Sequence, residues 1–211
     1  YTAKDITYDG FGRPSYDLVI QGEVVNRIAL GVTGEHNVYN SLAAIAVAME
    51  LGAGFDAVMA GLKKFTGTDR RFEKKGEIGG VTIIDDYAHH PQEIKATLSA
   101  AKNYPHRKLW CVFQPHTYTR TKAFLDQFAQ TLSAADEVIL ADIYAARETD
   151  TLGVSSLDIV ERIERLGTKA HYIPSFDDIE TFILENCING DVLITMGAGD
   201  IVKVGEKLLG R

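Results

Sequence analysis

The chain has 211 residues, of which 45% are hydrophobic and 24% are charged, and its formal net charge is −7. This length supports one or two domains with a substantial core, and the composition is that of an ordinary soluble globular protein. The acidic balance argues against a nucleic-acid binder or a membrane binder, and no apolar stretch is long enough to span a bilayer. We therefore expect a globular cytoplasmic protein.

The two cysteines, Cys111 and Cys187, lie in a predicted strand and near the end of a predicted helix. We interpret both as buried thiols in a reducing compartment, since two cysteines do not form a disulfide framework. No signal peptide is visible. The chain starts at Tyr1 instead of a methionine, and this predicts that it begins inside a longer protein.

Residues 1–69 are predicted to form a small antiparallel sheet followed by two helices. Apolar positions in residues 1–33 alternate with glycine-rich turns, and helical spacing then predicts helices over about 34–51 and 55–65. The polar segment 66–69 is a break in this pattern, and we place a domain boundary after it. We expect the segment Gly67–Asp69 to act as a hinge.

Residues 70–211 alternate between predicted strands and predicted helices. This alternation is typical of an α/β domain with a mostly parallel sheet covered on both faces. The predicted strands are 72–77, 81–85, 108–113, 137–141, 169–173 and 191–196. The predicted helices are 91–103, 121–135, 155–166, 176–186 and 200–209.

The run 83–91 begins as an apolar strand and ends in Asp85, Asp86, His89 and His90. Ligands of an open α/β sheet bind at the carboxyl ends of its strands, so these side chains are candidate site residues. The following helix begins at a proline, and its amino terminus would suit a phosphate or a carboxylate. Aspartates that only cap the helix are the ordinary structural alternative.

The run 113–121 has the same design and places His116 and Arg120 after a second apolar strand. We expect the two runs to lie on successive strands, with their polar ends in one crevice. The planar guanidinium of Arg120 suits a bidentate carboxylate contact, although a surface ion pair is the alternative. An Asp with three histidines is also a plausible zinc ligand set, but adjacent histidines in a turn seldom reach the same ion.

Three shorter motifs complete the set. Asn37 and Asn40 share one helix face and could contact a nucleotide base, or they could be ordinary helix-start residues. Arg70 and Arg71 sit at the domain break, where an arginine could reach a phosphate or remain a solvated charge. The segment 196–200 lacks the third glycine of a dinucleotide fingerprint, so we interpret it as a tight strand-to-helix turn.

Taken in order, these segments resemble the Mur ligases, the ATP-dependent amide ligases of peptidoglycan synthesis. The resemblance covers almost the whole chain, and the two long runs are its specific part. It implies that residues 1–69 end the ATP-binding central domain and that residues 70–211 form the Rossmann-like carboxyl-terminal domain. The P-loop, the Mg²⁺ ligands and the UDP-sugar domain would lie upstream, so we expect this chain alone to be inactive.

The resemblance also implies a reaction and a set of roles. ATP would phosphorylate the lactyl carboxylate of UDP-N-acetylmuramate, and the amine of L-alanine would attack the acyl phosphate. By position, the residues implied around the amino acid and the lactyl carboxylate are Tyr87, His89, His116 and Arg120. The residues implied for the nucleotide are His36, Asn37, Asn40, Arg71 and Asp86.

Three alternatives stay open at this stage. A recycling ligase of the same family, which attaches a tripeptide to the same sugar, shares the first run but is expected to lack the pattern of residues 114–120. The isolated chain could also be a binding module without turnover. A metal-dependent hydrolase that uses His89, His90 and His116 would need a bound metal ion.

Overall fold

The computed structural model describes residues 1–211, and they form two compact units. The first unit contains residues 1–68 and 99–105, and the second contains residues 69–98 and 106–211. The assignment of the two units to particular family domains remains a prediction.

The first unit contains a three-stranded antiparallel sheet in the order β1-β2-β3 and two helices. Its elements are β1 (Thr2–Tyr8), β2 (Pro14–Ile20), β3 (Glu23–Ala29), α1 (His36–Glu50) and α2 (Phe55–Lys64). Gln21 and Gly22 both have positive φ angles, 52° and 91°, as a tight two-residue hairpin requires. The hydroxyl groups of Tyr16 and Ser41 lie 2.7 Å apart in the core and join the sheet to α1.

The second unit contains a six-stranded sheet in the order β4-β5-β9-β6-β7-β8, in which only β4 runs antiparallel. Its first elements are β4 (Glu73–Ile78), β5 (Val81–Asp86), α3 (Pro91–Lys102), β6 (Leu109–Phe113), α4 (Tyr118–Ala123) and α5 (Leu125–Leu132). The later elements are β7 (Glu137–Leu140), α6 (Ser156–Arg165), β8 (Lys169–Tyr172), α7 (Phe176–Asn186), β9 (Val192–Met196) and α8 (Val202–Leu208). The predicted α/β class with a mostly parallel sheet is confirmed.

The central strands of this sheet are apolar along their whole length because helices cover them. Every residue of β6, β7 and β9 is buried. Ile83, Trp110 and Leu193 belong to a core cluster that also contains residues of α7 and α8. Phe113 packs against Phe128 of α5 with 5.4 Å between ring centroids.

Two local expectations are wrong. β5 and β6 are not adjacent, because β9 lies between them and pairs in parallel with both. The helix predicted over 121–135 is two helices, α4 and α5, which meet at Phe124. The first of them begins earlier than expected, since the side chain of Thr117 accepts a hydrogen bond from Arg120 N and caps it.

The structure also bears on the two cysteines and on membrane-spanning segments. Cys111 and Cys187 are free thiols, and burial raises the pKa of each to about 12, which leaves both protonated at neutral pH. The longest helix, α1, has 15 residues, and no helix has both the length and the apolar character needed to cross a membrane.

Candidate active site

Polar residues from three loops meet at the carboxyl ends of β5 and β6. The rings of Tyr87 and His89 have centroids 5.5 Å apart, and those of His89 and His116 have centroids 5.8 Å apart. His116 stacks on Tyr144, which follows β7, at 5.5 Å. The two runs therefore share one crevice although β9 separates their strands, because all three parallel strands end at the same edge.

Arg120 and His116 form the basic part of this crevice. Arg120 Nη1 lies 3.3 Å from His116 Nδ1, within one turn of the same segment. Partial burial and then the Arg120 cation lower the pKa of His116, and the nearby Glu148 only partly opposes them. His116 is therefore neutral at pH 7, with Nδ1 as the acceptor for Arg120 and the ring proton on Nε2.

A turn after β7 holds this basic segment in place, and sequence reasoning missed it. Thr117 N donates to Tyr144 O at 2.9 Å, and Tyr144 N donates to Pro115 O at 2.8 Å. Glu148 accepts from Thr119 N at 2.9 Å and from Thr119 Oγ1 at 2.5 Å. The sequence could have indicated this turn, because it follows an apolar strand, β7, that ends at the same sheet edge as β5 and β6.

The amino terminus of α3 binds a side chain of its own helix. Glu93 Oε2 accepts hydrogen bonds of 3.1 Å from both His89 N and His90 N. Partial burial opposes ionisation of Glu93, but these hydrogen bonds and the His89 and Arg71 charges outweigh it and lower its pKa. Glu93 therefore takes the place that an external phosphate or carboxylate was expected to fill at this helix.

Asp86 is buried and accepts three hydrogen bonds from within the chain. Its carboxylate accepts from Ala88 N at 2.8 Å, from Phe72 N at 2.9 Å and from Thr97 Oγ1 at 3.0 Å. Burial raises the pKa of Asp86, and these donors partly offset the increase. Asp86 therefore joins three segments of the chain and does not cap α3, the structural role that the sequence offered as an alternative.

Asp85 is buried as well, and its partner is Arg70, one of the two arginines at the predicted domain break. Arg70 Nε donates to Asp85 Oδ2 at 2.8 Å, and Thr195 Oγ1 donates to Asp85 Oδ1 at 2.7 Å. Arg71 is instead half-exposed, with its guanidinium 3.9 Å from Glu93. Of the two adjacent arginines, one is therefore built into the sheet edge and the other faces outward.

His90 lies apart from the crevice. Its ring packs edge-on against Phe124 with 5.0 Å between centroids, and its Nδ1 accepts from Gln92 N at 3.3 Å. No group of three or more His, Cys, Asp or Glu side chains is arranged to hold a metal ion. The ligand set considered from the sequence does not come together.

The segment after β9 is a tight turn, as expected. Gly197 has a φ of +151°, and a Cβ there would lie 2.8 Å from Gln114 O. Gly197 N donates to Asp86 O at 3.1 Å. This glycine is needed because the ends of β5, β9 and β6 approach one another closely.

In the first unit, Asn37 and Asn40 form a pair at the start of α1. Asn40 Nδ2 donates to Asn37 Oδ1 at 3.0 Å, and Asn37 Nδ2 donates to Thr33 O at 2.9 Å. The ring of His36 lies against Gly34, where an added Cβ would be 2.7 Å from His36 Cε1. The predicted shared face of the two asparagines is present.

A parallel α/β sheet with basic and aromatic side chains converging at its carboxyl edge has the usual place of a ligand-binding site in an α/β protein. The chain belongs to the Mur ligase family, whose domain described as "Mur ligase, glutamate ligase domain" matches residues 70–199.

Curated relatives align along almost the entire chain. The UDP-N-acetylmuramate–L-alanine ligase of Lachnospira eligens is 62% identical over 209 residues, which is 99% of this chain and 46% of that protein. The enzyme of the same name from Caldanaerobacter subterraneus is 51% identical over 209 residues, or 99% of this chain and 45% of that protein. The chain thus spans a little less than half the length of these relatives.

Solved structures also align along almost the entire chain. The UDP-N-acetylmuramate-alanine ligase of Thermotoga maritima matches with a TM-score of 0.84 at 28% identity, covering 99% of this chain and 45% of that one. A murein peptide ligase from Psychrobacter arcticus matches with a TM-score of 0.65 at 27% identity, covering 99% of this chain and 43% of that one.

Proposed function

We propose that this chain is the carboxyl-terminal part of an ATP-dependent ligase that joins L-alanine to UDP-N-acetylmuramate. The names of the curated relatives support the substrates, and their alignments, at 62% and 51% identity, cover 99% of this chain. The observation that carries the proposal is the convergence of His89, His116 and Arg120 at the carboxyl edge of the sheet. A carboxylate substrate with a reacting amine fits such a basic, hydrogen-bonding crevice.

In this proposal Arg120 binds the carboxylate of L-alanine. Its guanidinium keeps a fixed orientation because Nη1 is tied to His116 and the backbone N is capped by Thr117. His116 holds its proton on Nε2, from which it donates to a substrate oxygen. Tyr87 and His89 complete the wall of the crevice. These residues orient the amine for attack on the activated lactyl carboxylate and stabilise charge that develops on the acyl oxygen.

ATP supplies the phosphoryl group that activates the lactyl carboxylate, as an acyl phosphate, for attack by the amine. Arg71 is the residue that would contact its phosphates, since its side chain is 53% exposed and only loosely paired with Glu93. Asn37, Asn40 and His36 would contact the adenine. Asp86 would contact the ribose through lone-pair capacity left beside its three internal hydrogen bonds.

For Mg²⁺, this chain offers no group of three or more His, Cys, Asp or Glu side chains arranged to hold a metal ion. Its ligands would belong to other parts of the ligase, together with the phosphate-binding loop and the UDP-sugar site. The isolated chain is then expected to fold without turning over ATP.

The test is ADP release by the full-length ligase that carries this chain, with UDP-N-acetylmuramate and either L-alanine or L-Ala-γ-D-Glu-meso-diaminopimelate. We expect a strong preference for L-alanine. Preference for the tripeptide would instead assign the protein to the recycling ligases. The 211-residue chain alone is the matched control, and ADP formation by it would contradict the fragment proposal.

A further inference from the structure

One arginine side chain ties the ends of two strands together beside the proposed site. Arg70 Nε donates to Asp85 Oδ2 at 2.8 Å, at the end of β5, and Arg70 Nη2 donates to Gly197 O at 2.7 Å, just after β9. The Asp85 side chain is fully buried, so this carboxylate depends on Arg70 and Thr195 for its hydrogen bonds. The guanidinium of Arg70 is therefore fixed in direction by two acceptors.

The backbone around Arg70 is also held by hydrogen bonds. Tyr87 N donates to Arg70 O at 2.7 Å, and Arg70 N donates to Glu73 Oε2 at 2.9 Å. Phe72 N donates to Asp86 Oδ2 at 2.9 Å. Residues 70–72 are thus anchored at one end to Tyr87 and at the other to Asp86, the last residue of β5.

This segment has a strained conformation. Arg70 and Phe72 have φ angles of +57° and +49°, in the left-handed region that non-glycine residues rarely adopt. Such strain persists only where the surrounding contacts enforce it. Arg71, which lies between these two residues, is directed outward by them, and its Cζ atom stands 5.8 Å from the centroid of the Tyr87 ring.

We propose that Arg70 is a positioning residue: held by Asp85 and Gly197, it fixes the segment that presents Arg71 to the site. The inference rests on the proposed function, in which Arg71 contacts ATP. Lysine cannot replace Arg70, because a single ammonium group cannot reproduce a rigid fork directed at two acceptors. The Arg70 guanidinium also stacks on the Tyr87 ring, with 4.9 Å from Cζ to the ring centroid, and this contact further restricts its orientation.

The test uses the full-length ligase that carries this chain. Arg70→Lys keeps a cation beside Asp85, and kcat for ADP release is expected to fall by about tenfold or more, since small misplacements of a reacting group cost this much. Asp85→Asn weakens the ion pair with Arg70 by removing the charge of its acceptor, and it is also expected to lower kcat. Rates are compared per folded enzyme, measured by far-ultraviolet circular dichroism.

The decisive readout is a double-mutant cycle with Arg71→Ala. If Arg70 acts through Arg71, Arg70→Lys should lower kcat by less than about twofold once Arg71 is absent. A residue that acts independently of Arg71 would cause the same fold loss of kcat in both backgrounds, and that outcome would overturn the proposal. The proposal also fails if folded Arg70→Lys and Asp85→Asn enzymes keep full activity, or if neither variant folds.

Arg162→Lys is the matched control. Arg162 makes the same kinds of contact, with Nε 2.8 Å from Asp126 Oδ1 and Nη1 2.7 Å from Asp158 O, but it lies on α6. Its variant should leave kcat within about twofold of the parent enzyme. A parent enzyme that releases no ADP with L-alanine or the tripeptide would refute the proposed function, whereas the positioning role is judged from ratios in an active enzyme.

Discussion

Arg120 Nη1 and His116 Nδ1 lie 3.3 Å apart, and this contact adds to the effect of burial on the protonation of the histidine. Burial and the Arg120 charge together lower the pKa of His116 below its usual value of about 6.5. Arg120→Gln removes the cation, so the pKa of His116 should rise. An NMR titration of the ring Cε1 proton, assigned with His116→Gln, measures the change.

The same titration has a simple control. Arg165 is a surface arginine on α6 that pairs with Glu161 at 3.2 Å, and Arg165→Gln should leave the His116 titration unchanged. An Arg120→Gln variant with an unshifted His116 pKa would show that burial alone keeps this histidine neutral.

Arg120→Lys tests the proposed carboxylate contact in the full-length ligase. Lysine keeps the charge but loses the planar fork, and one charge-assisted hydrogen bond is worth about 1.5–3 kcal/mol. We expect kcat/KM for L-alanine to fall roughly tenfold to a hundredfold, whereas KM for ATP changes by less than about twofold. Steady-state ADP release, with Arg165→Lys as the control, measures both. An equal effect on ATP would mean that Arg120 does not act on the amino acid.

Glu137 is expected to make stability depend on pH. Its side chain is fully buried at the start of β7, where it contacts Lys108, lies 2.8 Å from Lys169 Nζ and lies 2.6 Å from His171 Nε2. Burial would raise the pKa of Glu137, but these three partners outweigh burial and lower it from 4.5 to about 2. Because the folded-state pKa is the lower one, the stabilisation is present above about pH 4.5 and is lost as the pH falls towards 2.

Glu137→Gln should therefore lower the free energy of unfolding by roughly 3 kcal/mol at pH 7, and this difference should shrink as the pH falls below about 5. Urea unfolding followed by Trp110 fluorescence measures it. Glu161→Gln on the exposed face of α6 is the matched control and should cost less than about 1 kcal/mol. A difference for Glu137→Gln that stays constant with pH would show that packing, and not charge, is lost.

Gly197→Ala tests the close approach of strands at the site. The new Cβ would combine an unfavourable φ of +151° with a contact of 2.8 Å to Gln114 O. We expect a loss of about 2 kcal/mol or more in the free energy of unfolding. Gly167→Ala, at a φ of +89° with open space around it, should cost only about 1 kcal/mol. Equal losses would mean that the backbone at residues 197–199 relaxes without disturbing β6.

Much of the fold could be predicted from local patterns. The alternation of apolar strands and amphipathic helices over 70–211 predicted every strand of the second unit to within two residues at either end. The polar ends of the runs 83–91 and 113–121 predicted the crevice, since a parallel sheet ends all its strands at one edge. The split between α4 and α5 could not be predicted, because it depends on a threonine cap and on the conformation of Phe124.

The sequence by itself determined the α/β class and the family, and it predicted which polar residues lie at the carboxyl edge of the sheet, because periodicity and compact motifs are local properties of the chain. Only the tertiary structure decided that β9 lies between β5 and β6, that Glu93 occupies the start of α3, and that Arg70 pairs with the buried Asp85. Arg70 and Gly197 are 127 positions apart in the chain but share one hydrogen bond. Such contacts follow from how distant segments pack, and no local pattern records them.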